Sequence, residues 1–177
     1  ARSKRVTPNT LHYNASISAC ERSHQWQHAV DMLWGMGRFQ VQKDIISFNT
    51  TIAACARGQQ WQLSLRLFGD LPRQNLEPDF ITWSSAIRAC DLGGNWTLAL
   101  ALLQHMQEAS TTNEIAFSTA INACAKGAAW EPALALLGEM DAKDIRRDNV
   151  AFNATITACE KGGRWQSAVA VAEEMAS

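Results

Sequence analysis

The sequence predicts an all-α fold, an α-solenoid of about five stacked helical hairpins with a period of 35 residues. One phrase recurs along the chain: FNATITACEKGGRW from Phe152 has close counterparts that begin at Tyr13, Phe48, Trp83 and Phe117. These starting points are spaced by 35, 35, 34 and 35 residues, and a cysteine and a tryptophan follow each at a fixed distance. A period of this length is typical of stacked supersecondary units rather than of one core wound from the whole chain.

Each repeat carries the pattern of two helices. In the last repeat, Phe152, Ile156 and Cys159 fall at i, i+4 and i+7, which is one face of a helix. A second apolar stripe runs from Trp165 to Met175. Between the two helices of the repeats lie glycines, which are Gly58, Gly93, Gly94, Gly127, Gly162 and Gly163. We expect these glycines to supply the positive φ that closes one helix and turns the chain into the next.

The repeat pattern predicts one continuous solenoid domain that is composed of five repeats. Residues 1–9 are interpreted as the tail of a preceding repeat, and the five repeats that follow are 10–44, 45–79, 80–113, 114–148 and 149–177, the last of them incomplete. Pro72 lies near the end of a second helix, where it predicts a shortened last turn because proline donates no backbone N–H.

Composition and motifs point away from catalysis. The chain is 47% apolar and 19% charged with a net charge of −1, and it contains no apolar run long enough to insert into a membrane. The patterns GxSxG, HExxH and GxxxxGK[ST] are absent. We therefore predict no enzymatic activity, no cofactor and no metal.

The five cysteines occupy one column of the repeat. Equivalent residues of neighbouring hairpins should lie roughly 9–10 Å apart, the spacing of packed helices, which exceeds the reach of a disulfide. No CxxC or cysteine–histidine ligand spacing occurs. We expect the cysteines to be small buried residues between helices, and the recurring tryptophans to be packing residues rather than a stacking platform.

The residue pattern of the repeats resembles that of a known family. Each opens with an aliphatic residue, a small or polar one, an aromatic and then Asn or Ser, as in VAFN, ITWS and LHYN, and tails of the PD or RD type close the repeats. Over residues 10–177 this pattern resembles the pentatricopeptide repeat family, in particular its P-type arrays, and ACEKGGRW resembles the wording of such arrays in unicellular algae.

The resemblance implies a function. Family members are right-handed solenoids that bind single-stranded RNA with one base per repeat, in a mitochondrion or a chloroplast, where they act in RNA processing, stability or translation. The family's base-sandwiching position is occupied by Leu11, Ile46, Ile81, Ile115 and Val150. Its base-recognition positions are occupied by Asn14, Asp44, Asn49, Asp79, Ser84, Asn113, Ser118, Asp148 and Asn153. Its phosphate-contact column holds Arg22, Arg57, Lys126 and Lys161, with Leu92 as the departure.

The chemistry of the base-recognition residues suggests a preferred RNA. A carboxylate only accepts hydrogen bonds and suits uracil or guanine, whose pairing edges carry an N–H, whereas an amide can donate to the bare ring nitrogen of adenine or cytosine. The family pattern adds that Asn after the aromatic goes with pyrimidines and Ser with purines. The preferred sequence, read parallel to the chain, is UUAG followed by a pyrimidine.

A second hypothesis belongs to another class of function. The array would be a scaffold subunit that packs against proteins in a larger organellar complex, such as a ribosome or a membrane assembly. Solenoids normally need polar capping helices, and this chain stops at Ser177 after a helix that carries Val169, Val171 and Met175. A cationic, polar first-helix face would favour RNA, and an apolar or acidic one would favour protein.

Overall fold

The computed structural model describes residues 9–109 and 112–176. All regular structure in these residues is helical, and the α-helices are α1 (Thr10–Arg22), α2 (Trp26–Arg38), α3 (Ile45–Arg57), α4 (Trp61–Asp70), α5 (Phe80–Gly93), α6 (Trp96–Glu108), α7 (Glu114–Lys126), α8 (Trp130–Ala142), α9 (Asn149–Lys161) and α10 (Trp165–Ala176). Of the expected tail of a preceding repeat, residues 1–8 lie outside the described residues. The shortened turn expected at Pro72 is confirmed, because α4 ends at Asp70 and a short 3-10 turn, Pro72–Gln74, follows it.

The chain divides into two compact units, one ending at Thr82 and the other beginning at Trp83. In the first unit, α1 packs against α2 and α3, and α3 packs against α2 and α4. In the second unit, α7 packs against α6, α8 and α9, and α9 also packs against α8 and α10. The odd-numbered helices are therefore the first helices of successive hairpins, and α1, α3, α7 and α9 each contact the second helix of their own hairpin.

A capping side chain starts the first helices. Asn9, Asp44, Asn113 and Asp148 are N-caps of α1, α3, α7 and α9, and the side-chain oxygen of each accepts a hydrogen bond from the backbone N–H three residues later. Asp79 accepts the equivalent bond from Thr82 N at 2.8 Å. These bonds satisfy one of the backbone donors that every helix N-terminus leaves without an intrahelical partner.

The glycines after the first helices do not all have the expected conformation. Gly58, Gly127 and Gly162 have φ angles of −77°, −83° and −80°, so the prediction of positive φ is wrong for them. The left-handed residue lies four positions after the cysteine of each repeat, with φ between 55° and 69°, and these residues are His24, Gln59, Gly94, Ala128 and Gly163. Most of them are not glycine, so the turn itself does not explain why glycine recurs one position earlier.

Close contact with tryptophan explains these glycines. In each unit, the tryptophan that begins a second helix lies against the glycine that ends the next first helix. An ideal Cβ on the glycine would lie 2.1–2.3 Å from the tryptophan Cδ1 in three such contacts, which are Gly58 with Trp26, Gly127 with Trp96 and Gly162 with Trp130. No Cβ fits at that distance, so glycine is required for the hairpins to approach. The packing role predicted for these tryptophans is confirmed.

Four of the five cysteines are buried, as predicted. All five are free thiols, with Cys20 half-buried and the other four buried. Burial raises the pKa of the Cys55 thiol to about 12 and that of Cys124 to about 11. A thiol that stays protonated in an apolar setting behaves as a small hydrophobic side chain and has little reactivity.

Substitution of a contact glycine tests the role of the tryptophan contact. We expect Gly127→Ala to lower the free energy of unfolding by about 1–3 kcal/mol, because the added methyl group must displace Trp96 from a packed position. The control is Gly138→Ala in α8, where no heavy atom lies within 4 Å of the added Cβ. There alanine should stabilise the helix by up to about 1 kcal/mol. Urea unfolding followed by circular dichroism measures both variants, and equal effects would contradict the contact role.

Candidate functional site

The second residue of every first helix is an exposed aliphatic side chain. The exposed fractions are 76%, 57%, 57%, 63% and 55% for Leu11, Ile46, Ile81, Ile115 and Val150. A single exposed aliphatic residue is ordinary. Five in one repeat column are not explained by packing, because the core side chains of these helices lie on other faces. The structure therefore leaves the predicted base-sandwich column open to a ligand.

The residues predicted to recognise bases meet in three of the four complete pairs. Asn14 Nδ2 donates to both carboxylate oxygens of Asp44, at 3.1 and 3.0 Å. Asn49 Nδ2 donates to the Asp79 oxygens at 2.9 and 3.1 Å. In the second unit, Ser118 Oγ donates to Asp148 Oδ1 at 2.9 Å. The residue after the aromatic and the residue at the end of the repeat are thus in direct contact.

The pair formed by Ser84 and Asn113 is different. Asn113 caps α7 through a bond from Ala116 N of 3.0 Å, and Ser84 Oγ is buried without a hydrogen-bond partner. Asn14 Oδ1 is likewise buried without a partner. Buried polar atoms nearly always have a partner, so each of these two atoms calls for an explanation. In the last repeat, Asn153 lies exposed on α9.

The aspartates of this site have a role that the sequence analysis missed. The oxygen that contacts the residue after the aromatic belongs to the same side chain that caps the next first helix. In Asp148, Oδ1 accepts both the Ala151 N–H at 2.8 Å and the Ser118 hydroxyl, which leaves Oδ2 without a hydrogen bond among the described residues. An Asp or Asn directly before an apolar helical pattern is the signal that could have predicted the cap.

Hydrogen bonds keep the capping carboxylate of Asp79 ionised. Burial raises its pKa, but hydrogen bonds from the Thr82 backbone and side chain and from Asn49 outweigh that effect, so that the pKa lies below its usual value. The Thr82 hydroxyl lies 2.6 Å from Asn49 Oδ1 and 2.7 Å from Asp79 Oδ1, so its one proton is shared between the two acceptors. Asp79 is therefore an acceptor at neutral pH, and the amide of Asn49 is held in one orientation.

A cleft of about 300 Å³ opens beside these residues in the second unit. Its lining includes the two aliphatic side chains Ile115 and Val150 together with Ser118 and Asp148. One exposed aliphatic residue from each of two successive first helices therefore borders the same cleft as a predicted base-recognition pair. This arrangement can accept a flat group between two aliphatic side chains with hydrogen-bonding groups beside it.

Arg88 also lines this cleft, and the sequence analysis did not single it out. It lies four residues before Leu92, the position where the predicted cation column is interrupted. Residues four apart lie on the same side of a helix, so Arg88 supplies a positive charge near the gap. The counterparts of Arg88 in the other repeats are uncharged, so the repeat pattern does not indicate a cation at this position.

The predicted phosphate-contact column is only partly available. Arg57 forms an ion pair with Glu21 at 3.2 Å, and Lys126 forms one with Asp91 at 2.9 Å. Arg22 and Lys161 are exposed and form no ion pair within the described part of the chain. Two of the four cations are thus committed to carboxylates of a neighbouring helix.

The described part of the chain holds no cluster of side chains suited to a metal ion. Residues 9–109 and 112–176 contain no group of three or more His, Cys, Asp or Glu side chains placed to hold a metal ion. None of the helices in the same residues combines the length and apolar character that a membrane span requires.

Two substitutions of one side chain separate helix capping from the charge of the carboxylate. Asp148→Ala should lower the free energy of unfolding by about 1 kcal/mol because α9 loses its cap. Asp148→Asn should unfold like the wild type, since the amide oxygen caps as well as a carboxylate does. Chemical unfolding without RNA measures both. A loss of stability in Asp148→Asn equal to that in Asp148→Ala would show that the charge, and not the cap, matters.

The family models match the repeats. No curated protein matches the chain. The pentatricopeptide repeat domain matches residues 66–126, and the PPR repeat matches residues 115–145 and 150–177. Together these matches cover more than half of the sequence, in both units.

Solved structures show the same fold. The crystal structure of PPR10 from maize is 24% identical with a TM-score of 0.72, over 98% of this chain and 25% of that chain. The PPR domain of Arabidopsis thaliana protein-only RNase P 1, in complex with tRNA, is 10% identical with a TM-score of 0.79, over 95% of this chain and 91% of that one. PPR10 in complex with an 18-nt psaJ RNA element is 17% identical with a TM-score of 0.60, over 98% of this chain and 30% of that chain.

The chain spans a quarter of the length of the maize PPR10 chain. The likenesses show an all-helical fold of stacked hairpins, as the sequence predicts. With the matches to both repeat models, they establish that this chain belongs to the pentatricopeptide repeat family.

Proposed function

We propose that this chain binds single-stranded RNA sequence-selectively, with one base held by each repeat, and acts in RNA processing, stability or translation in a mitochondrion or a chloroplast. Two similar structures, those of PPR10 and of the RNase P 1 domain, contain RNA, which supports the proposal. The observation that carries it is the column of five exposed aliphatic side chains, two of which border the same cleft as a hydrogen-bonded pair. No catalytic step by this chain is part of the proposal.

The aliphatic column would hold the bases by their faces. In the second unit, Ile115 and Val150 border one cleft, and a base that enters it is covered on two sides by apolar groups. Stacking of a base on a protein side chain contributes roughly 1–3 kcal/mol before the cost of ordering the RNA. Because every base has an apolar face, this contribution sets affinity and not sequence preference.

The paired residues would read the edges of the bases. Asp148 Oδ1 is occupied by the helix cap and by Ser118, so Oδ2 is the acceptor that a guanine N–H would meet. Asn14 Oδ1 and Ser84 Oγ are buried without partners, so a base edge would meet them only after the side chains rotate. On this proposal the preferred RNA is UUAG followed by a pyrimidine.

A single isosteric substitution tests base reading. Asp148→Asn keeps the capping oxygen and turns the other position from an acceptor into a donor, so the preference of the fourth repeat should change from guanine to adenine. Fluorescence anisotropy with short RNAs that contain UUAGC or UUAAC measures this. We expect the wild type to bind the first RNA roughly tenfold more tightly than the second, and the variant to reverse the order, since a tenfold ratio corresponds to about 1.4 kcal/mol.

Asp144→Asn is the control for this experiment. Asp144 is exposed, lies in the loop after α8 and has a positive φ of 55°, which asparagine tolerates. Asp144→Asn changes the net charge by the same amount as Asp148→Asn does and should leave the preference for UUAGC intact. Equal binding of both RNAs by the wild type would remove the base-reading proposal. Failure to bind any RNA would favour the scaffold hypothesis, for which the exposed Trp34 and Phe39 offer apolar contact area.

A further inference from the structure

We propose that Glu21 and Asp91 mask two cations of the phosphate-contact column, so that the carboxylate of one repeat competes with RNA phosphate for the cation of the next. This inference rests on the proposed function. The two acids are expected to lower RNA affinity and to leave Arg22 and Lys161 as the fully available members of the column.

The two ion pairs have the same construction. Each joins the end of one first helix to the last residue of the next first helix in the same unit. Arg57 Nη2 lies 3.2 Å from Glu21 Oε1, and Lys126 Nζ lies 2.9 Å from Asp91 Oδ1. Lys126 also donates to the backbone carbonyl of Asp91 at 3.0 Å. Its ammonium group is therefore held by two acceptors of the preceding repeat.

The acids occupy one column of the repeat, directly before the cation column. In chain order its members are Glu21, Ala56, Asp91, Ala125 and Glu160. The repeat before that of Lys161 has Ala125 in place of the acid, and Lys161 forms no ion pair in the described residues. Lys126 and Lys161 are thus the same residue type at the same repeat position, and they differ in whether an acid precedes them by one repeat. The chain contains its own matched comparison.

Asp91 also lies at the surface where RNA is proposed to bind. It lines the cleft of about 300 Å³ that Ile115 and Val150 border. The Asp91 side chain is 13% exposed and that of Lys126 is 40% exposed, so the lysine can turn toward solvent more easily than the carboxylate can. Asn122 Nδ2 donates to Asp91 Oδ1 at 2.9 Å and holds the carboxylate in place.

The energies are compatible with an exchange of partners. Ion pairs of partly exposed side chains are weak, because water solvates both charges well. A phosphate can therefore take Lys126 from Asp91, but the affinity gained is smaller than for a cation that has no prior partner. A carboxylate that remains in the cleft also repels the phosphate.

The first test compares two charge-matched variants. Asp91→Asn removes the masking carboxylate and keeps a residue of the same shape. Glu160→Gln removes an acid from the same column, but Glu160 forms no ion pair within the described residues. In anisotropy titrations with a UUAGC-containing RNA, Asp91→Asn should bind three- to tenfold more tightly than Glu160→Gln. Its log–log salt slope should be steeper by about 0.7, the value for one more phosphate contact on a single strand.

The second test uses the two lysines. In the wild type, Lys161→Gln should weaken RNA binding more than Lys126→Gln does. In the Asp91→Asn background, Lys126→Gln should weaken binding as much as Lys161→Gln. The inference is overturned if Asp91→Asn binds like Glu160→Gln, or if Lys126→Gln already equals Lys161→Gln in the wild type.

A third readout separates this inference from the proposed function. If the wild type binds no RNA, the proposed function fails, and retention on a heparin column still tests the masking. Later elution of Asp91→Asn than of Glu160→Gln supports it, and equal elution overturns it. Glu21→Gln, which frees Arg57, repeats the comparison at an independent pair if Asp91→Asn does not fold, as judged by circular dichroism.

Discussion

Contact between a tryptophan edge and a glycine without a Cβ sets how closely successive hairpins approach. In each unit, this contact joins the start of a second helix to the end of the next first helix, and a side chain on the glycine would push the next hairpin away. A wider spacing would leave Ile115 and Val150 too far apart to cover one flat group. The packing of the hairpins therefore determines the geometry of the candidate site, although the tryptophan and the glycine lie outside it.

Charge is distributed unevenly over the first helices. A net charge of −1 is unusual for a nucleic-acid-binding chain. The ion pairs of Glu21 and Asp91 show where part of the negative charge lies: next to the cations, in an adjacent column of the repeat. Net charge alone hides this arrangement, because a masked cation and an available cation contribute equally to it. On the proposed function, weak phosphate contacts would leave a larger share of the binding free energy to the bases.

Much of the fold and part of the site could be predicted from the sequence. Repetition made the helices and the buried cysteines predictable, because each position was observed five times in one chain. The conformation of Gly58 was not predictable in this way, since a glycine can mean positive φ or close contact, and only the position of Trp26 decides between them. The pairing of Lys126 with Asp91 was also missed. The two residues are 35 positions apart, and the expected spacing of neighbouring hairpins does not say which side chains reach across it.

The cap formed by Asp148 limits which residue types can occupy the last position of a repeat. The residue that closes each repeat must start the next helix, and only a few side chains, chiefly Asp, Asn, Ser and Thr, do this well. Any residue that contacts a base from this position must therefore be one of these few capping residues, whatever RNA is present. The number of bases that such a repeat can distinguish is thus limited first by the requirement for a helix cap. An array redesigned for a new target would have to use one of the same few residue types at this position.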